Sequence, residues 1–242
     1  MAHVVVTGVS GCIGSWIARH LLAQGHTVTG FDLNTASATA ELLGIAGAFP
    51  VERIDVTDAS RFRAALVKAR PTAIIHLASL LMPACKSNPE ACVAVNVTSF
   101  LTVLEVAREL GCNVAYASSA WVQNAPPGSK VAEDLPVDPQ SLYGVFKVAN
   151  EMMAATYARD YGVRASALRP YVVYGPGREV GLTADVNLAL LAASRGEPYE
   201  IGFGGDVMLH HVSDIAQLFI RLALEAREPC GIYNVAGSEQ SM

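Results

Sequence analysis

Charge is scarce in this chain. Asp, Glu, Lys and Arg make up 16% of its 242 residues, where an ordinary soluble domain carries about a quarter. The formal net charge is −5, with 17 basic against 22 acidic residues. There is no basic stripe for nucleic acid and no Lys/Arg block for a membrane surface. Long apolar runs are missing as well. The stretch from Thr72 to Cys85 is interrupted by His76 and is too short to span a bilayer. The first residues, Met1 to Thr7, run straight into a strand-like segment without a basic region and apolar run, so no signal peptide is expected. Cysteine pairing signals are weak too. The five cysteines, at 12, 85, 92, 112 and 230, contain no Cys-x-x-Cys spacing. Their odd number predicts free thiols in a reducing cytoplasm rather than a disulfide framework. No set of His, Cys, Asp and Glu has metal-ligand spacing, so no metal is expected.

What is abundant is apolar surface: 52% of residues are hydrophobic, enough for a large buried core. The apolar residues come in alternating strand-like and helix-like runs. Strands are expected at His3–Thr7, Thr27–Phe31, Val51–Ile54, Ala73–Leu77 and Asn113–Ala117. Helices are expected near Cys12–Gln24, Ala36–Leu43, Ala59–Ala69 and Pro89–Leu110. Strands apolar throughout, rather than at every second position, suit a parallel sheet covered on both faces. Their alternation with helices predicts an α/β, Rossmann-type doubly wound sheet. Further on come a helix near Leu142–Tyr161, a strand at Arg164–Arg169, a turn-rich Tyr174–Arg178 and a helix at Thr183–Ser194. An extended piece at Pro198–Phe203, a helix at Asp214–Ala226 and a strand at Gly231–Val235 complete the chain. We expect one domain over 1–242, with a small C-terminal substrate lobe drawn from about 171–210 and 236–242.

Two local patterns carry chemistry. Gly8, Gly11 and Gly14 follow the first strand and open the first helix. Gly8 suits a tight turn, Gly11 lets backbone amides reach a pyrophosphate, and Gly14 lets helix and sheet pack closely. The helix N-terminus stabilises phosphate charge. Asp32, at the end of the second strand, can accept both ribose hydroxyls of NAD and repels the 2′-phosphate of NADP. The second pattern is Tyr143 and Lys147, an i, i+4 pair on one helix face. An ammonium beside a phenol is expected to lower its pKa and make it a proton-transfer group.

These motifs resemble the extended short-chain dehydrogenase/reductase family, also called the NAD-dependent epimerase/dehydratase family, along nearly the whole chain. Asp55-Val56, His76-Leu-Ala-Ser79, Asn96-Val-Thr-Ser99, Ala117-Ser-Ser-Ala120, Leu168-Arg-Pro-Tyr-Val-Val-Tyr-Gly-Pro-Gly177, His211-Val-Ser-Asp214 and Tyr233-Asn-Val235 resemble successive family landmarks. The resemblance implies a cofactor site of Gly8, Ser10, Gly11, Cys12, Ile13, Gly14, Asp32, Asp55, Val56, Leu77, Ala78, Ser79, Tyr143, Lys147, Tyr171 and Val173. It implies Ser119, Tyr143, Lys147 and Asn96 as the catalytic set, with Ser119 rather than Ser118 bonding the substrate oxygen; from the residues alone both hydroxyls remain open. Leu81, Met82, Ser119, Ala120, Trp121 and Arg178 are the expected substrate contacts.

Departures from the family pattern narrow the activity. Ala120 and Trp121 stand where dehydratases carry Asp-Glu. Val207 stands where nucleotide-sugar enzymes carry a diphosphate-binding arginine. The sequence closes soon after Tyr233-Asn-Val235, implying either a reduced lobe with a small, partly open pocket or a truncated chain. The expected activity is NAD-dependent hydride transfer on a small hydroxyl or carbonyl compound, such as a sugar, sugar acid or polyol. The alternatives are a sugar epimerase that retains NAD and, from another class, a non-catalytic NAD sensor or scaffold, against which the intact Ser119, Tyr143 and Lys147 count. The two long helices near Pro89–Leu110 and Leu142–Tyr161 resemble those that pair in the family's homodimers.

Overall fold

A computed structural model describes residues 1–124 and 131–241. The strands are β1 (His3–Thr7), β2 (Thr27–Asp32), β3 (Val51–Arg53), β4 (Ala73–His76), β5 (Asn113–Ala117), β6 (Ala165–Arg169), β7 (Val172–Tyr174), β8 (Asp206–His211), β9 (Ile232–Asn234) and β10 (Ser238–Ser241). Seven form one parallel sheet in the order β3-β2-β1-β4-β5-β6-β9. The order reverses between β1 and β4, and a doubly wound sheet opens its binding crevice at such a point. The sheet is the expected Rossmann type.

Helices cover both faces. They are α1 (Cys12–Ala23), α2 (Ala38–Leu42), α3 (Ala59–Ala69), α4 (Met82–Ser87), α5 (Pro89–Val93), α6 (Ser99–Leu110), α7 (Leu142–Tyr161), α8 (Asp185–Ser194) and α9 (Val212–Glu225). Neighbouring residues of a strand point to opposite faces, and β1 shows the result. Val4 and Val6 pack with Ile17 and Leu21 of α1 and with Ile215 and Phe219 of α9. Val5 packs on the other side with Phe62 of α3, Phe100 and Leu104 of α6, and Ala154 of α7. The helical run 89–110 is long and apolar enough to cross a membrane by length and composition, but Phe100, Val103, Leu104 and Val106 are fully buried against the sheet. It is a core helix.

A second sheet, β10-β8-β7, joins parts of the chain far apart in sequence. Met242, the last residue of the expected lobe, lies outside the described residues. Residues 198–203 form no strand; β8 begins three residues further on. Two expectations fail locally. The expected single helix over Pro89–Leu110 is broken by one π turn, Ala94–Thr98. The cysteines are not all free: Cys85 and Cys92 are joined, with their Cα atoms 5.1 Å apart. Their linear spacing hides this because the chain turns at Asn88, the N-cap of α5 with Pro89 behind it, and folds α5 back on α4.

Candidate active site

The glycine loop lies at the carboxyl end of β1. Gly8 has φ +69°, and a Cβ there would stand 2.9 Å from the backbone nitrogen of Ala78. At Gly14 a Cβ would stand only 2.7 Å from Val9 Cα. Both positions therefore need glycine for close backbone approach. The N-cap of α1 is Gly11, and no side chain caps the helix. The first-turn amides of α1 thus point into the crevice as ready anion donors. Asp32 closes the far side. Its carboxylate accepts the Ser10 amide at 3.0 Å and the Asn34 amide at 3.0 Å, which ties the glycine loop to the end of β2. Asp55 accepts both the amide and the hydroxyl of Thr57, and these bonds hold its carboxyl below the ordinary range. Val56 beside it is buried. Leu77 and Ala78 are fixed through Thr7, whose hydroxyl oxygen accepts both their amides.

The expected proton-transfer residue, Tyr143, sits at the start of α7. Ser141 caps this helix by accepting the Gly144 amide at 3.1 Å, which puts Tyr143 in the first turn and Lys147 one turn later. Lys147 Nζ lies 5.4 Å from the Tyr143 ring centroid and donates to the Ala117 carbonyl at 2.8 Å. Burial lowers the Lys147 pKa to about 8. Burial also raises the Tyr143 phenol above its ordinary value; a hydrogen bond with Ser119 and the charge of Arg178 pull it part of the way back. This corrects the expectation that Lys147 lowers the tyrosine. A buried ammonium with no carboxylate beside it is itself destabilised, and the helix spacing could not show that burial.

The two serines after β5 separate cleanly. Ser118 donates to Glu151 Oε1 at 2.6 Å. Glu151 also holds Arg169 in a buried bidentate pair at 2.8 and 2.8 Å. Ser119 instead caps the short 3-10 turn Ala120–Val122 and faces Tyr143. Glu151 and Asn150 were missed in the sequence. The available signal was the repeat Tyr143, Lys147, Glu151 at i, i+4, i+8, one face of α7.

Asn96 stands behind this centre. It occupies the π turn, and among the described residues its side-chain hydrogen bonds go to the 79–92 segment: it accepts from the Leu80 amide at 2.7 Å and from Ser79, and donates to the Leu80 carbonyl at 2.9 Å. Its own carbonyl accepts from Asn150 Nδ2 at 2.8 Å. A π turn releases a main-chain carbonyl from the regular ladder, and here that carbonyl reaches α7.

The turn after β7 packs against α1 and α2. Trp16 Nε1 of α1 donates to the Pro176 carbonyl at 3.0 Å, and the Cys12 thiol points at the same oxygen. Gly177, at φ +90°, leaves room for Thr39 of α2. Arg178 is thereby carried to the vicinity of Cys12 and Tyr143; burial lowers its pKa, and these two groups pull it part of the way back. Its Nη2 donates to Thr183, its buried Nε has no partner, and it makes no ion pair among the described residues. Leu81, the N-cap of α4, leans on the lobe at Gly181, with Met82 following it. Trp121 meets Tyr171 edge-on, and both are partly exposed. Val173 is buried in the core beneath. Val207 packs with Val172 and Val186 inside the lobe.

A family model described as the NAD dependent epimerase/dehydratase family matches residues 4–236. The UDP-glucose 4-epimerase of Mycolicibacterium smegmatis is 33% identical over 230 residues, covering 90% of this chain and 72% of that protein. The UDP-glucuronate 4-epimerase of Thermodesulfobacterium geofontis is 34% identical over 188 residues, covering 73% of this chain and 57% of that protein. Among solved structures, the UDP-glucose 4-epimerase of Thermus thermophilus in complex with NAD aligns with a TM-score of 0.86 at 30% identity, over 99% of this chain and 79% of that one.

Proposed function

The chain belongs to the NAD-dependent epimerase/dehydratase family, and we propose that it oxidises or reduces a small hydroxyl or carbonyl compound bearing an anionic group, such as a sugar acid. It is an NAD-dependent enzyme of the extended short-chain dehydrogenase type. The uncapped α1 amides and the Asp32 carboxylate suit the pyrophosphate and ribose of a dinucleotide. NAD, when bound, supplies the hydride acceptor or donor.

The observation that carries the reading is the Tyr143 ring 5.4 Å from the buried Lys147 ammonium, with Ser119 close enough to act on the phenol. Tyr143 Oη takes the proton of a substrate alcohol in one direction and returns it to the carbonyl oxygen in the other. Ser119 holds that oxygen by a hydrogen bond. Lys147 holds the cofactor's ribose side of the cleft, and Asn96 positions the wall behind it. Arg178 supports the anionic substrate: a mostly buried guanidinium with an unpartnered Nε favours a carboxylate, which it can bind in bidentate fashion.

The second reading is an epimerase that oxidises and re-reduces one sugar carbon with retained NAD. The relatives' activities favour it. Val207, inside the lobe core, is the argument against a nucleotide diphosphate in this chain. We further place the protein in the cytoplasm, and as a homodimer through α6 and α7, where Leu101, Val145 and Met152 are exposed.

The test is turnover across a panel of alcohols, aldoses, uronic acids and their nucleotide conjugates. Tyr143→Phe should lose about 10²–10⁴-fold in kcat with NAD affinity nearly unchanged. Arg178→Met should raise KM for the acidic substrate about tenfold to a hundredfold. Full activity in the Phe variant sinks the proton route. Inverted stereochemistry without net reduced NAD selects the epimerase.

A further inference from the structure

We propose that Cys85 and Cys92 are a redox-responsive pair whose state sets the position of Asn96 and of the Ser79–Leu80 segment beside the cofactor cleft. Only the activity readout of this proposal rests on the functional reading above.

The pair bridges two short helices, α4 and α5, that fold against each other at Asn88. Both side chains are almost fully buried, at 1% and 0% exposure. The Asn96 amide nitrogen lies 3.2 Å from Cys92 Sγ and 3.6 Å from Cys85 Sγ. It donates to the Leu80 carbonyl, and that same oxygen lies 3.5 Å from Cys85 Sγ and 3.9 Å from Cys92 Sγ. Two sulfurs, one amide and one carbonyl therefore share a single closed site.

Reduction opens the covalent tie between α4 and α5 and creates two S–H donors facing Leu80 O, where the Asn96 amide now donates. A close-packed interior transmits such a change instead of absorbing it. Asn96 is the point where these changes meet the active site. Its side chain holds Ser79 and Leu80, and its carbonyl holds Asn150, three residues after Lys147 on α7.

The chemistry balances with a disulfide-bearing partner, either a small-molecule disulfide or a protein dithiol/disulfide couple. Formation of the Cys85–Cys92 bond removes two electrons and two protons, which convert the partner disulfide to two thiols; the reverse restores the thiols. In a reducing compartment a disulfide of this kind is a transient, sensing one.

The experiment compares the full-length protein equilibrated with oxidised glutathione or with dithiothreitol. Peptide mapping reports the bond. NAD titration, kcat and KM, and amide hydrogen exchange over 79–98 report the site. We expect the two forms to differ by about threefold to tenfold in kcat or NAD affinity, the scale of coupling through packed networks. Exchange over 79–98 should slow in the oxidised form. Cys85→Ala and Cys92→Ala, made separately in case one folds poorly, should each abolish the response. Cys112→Ala should keep it. Oxidised and reduced forms with identical NAD affinity, turnover and exchange overturn the proposal, as do thiols at 85 and 92 that resist oxidation. A redox effect on NAD binding that persists while Tyr143→Phe retains turnover leaves this proposal standing and removes the proton route instead.

Discussion

His76 is neutral throughout the physiological range, and its hydrogen bonds fix which nitrogen carries the proton. The Thr7 oxygen already accepts two amides, so its hydroxyl donates to His76 Nδ1 at 2.8 Å. The Ser99 hydroxyl donates to the Val95 carbonyl, so Nε2–H donates to Ser99 at 3.1 Å. Burial first, and the Lys147 charge second, lower the His76 pKa to about 3. The unfolded chain binds a proton here below about pH 6.5 while the folded protein does not. The stability tied to His76 is therefore complete above about 6.5 and declines by about 1.4 kcal/mol per unit as pH falls toward 3. His76→Asn should flatten that part of the curve, seen as a smaller drop in urea midpoint between pH 6.5 and 4.5 than in the parent. An unchanged slope rules out His76 as its source. At this scale partners were legible in the sequence but environments were not. The spacing of Tyr143 and Lys147 puts both on one face of α7, yet the direction of the tyrosine shift depends on burial, which spacing does not encode.

The elements of the site were legible wherever a run of like residues had one fate. The glycine loop, α1 and β1 stand where their pattern puts them, because each is fixed by near neighbours. The breaks were not legible. The π turn at Ala94–Thr98 interrupts an unbroken apolar helix pattern, and Asn96 within it has partners 16 residues before it and 54 after it in the chain. Gly144 is a second case. A Cβ there would stand 2.6 Å from the Trp121 carbonyl and 2.9 Å from Pro139 Cβ, so glycine lets the first turn of α7 touch the 3-10 turn that carries Ser119. Gly144→Ala should push these apart. We expect a loss of about 1–3 kcal/mol in stability from overpacking and a drop in kcat larger than any change in NAD affinity. A variant with parental kcat would show that Ser119 and Tyr143 do not depend on this contact.

On the scale of the molecule, the turn after β7 brings the small sheet against α1 and α2, which flank the large one. The second sheet joins residues 172–174, 206–211 and 238–241, and its turn carries Arg178 over α1. The other face of the molecule exposes Leu101 on α6, and Val145 and Met152 seven residues apart on α7. Seven residues are close to two helical turns, so the α7 pair forms one apolar stripe. Met152→Glu, which puts a charge on that stripe, should convert a dimer to a monomer in light scattering without changing the thermal midpoint by more than a few degrees. A monomeric parent protein removes the dimer.

The sequence by itself determined the sheet, its glycine loop and the placing of Tyr143 and Lys147 on one helix face, because apolar periodicity, glycine geometry and i, i+4 spacing act over short distances. Tertiary structure alone decided the rest. It gave Ser118 to Glu151 and left Ser119 facing Tyr143, gave Arg178 no counter-charge among the described residues, and brought Cys85 to Cys92 beside Asn96. Each of these outcomes depends on burial or on a partner distant in the chain, and neither is written in local pattern.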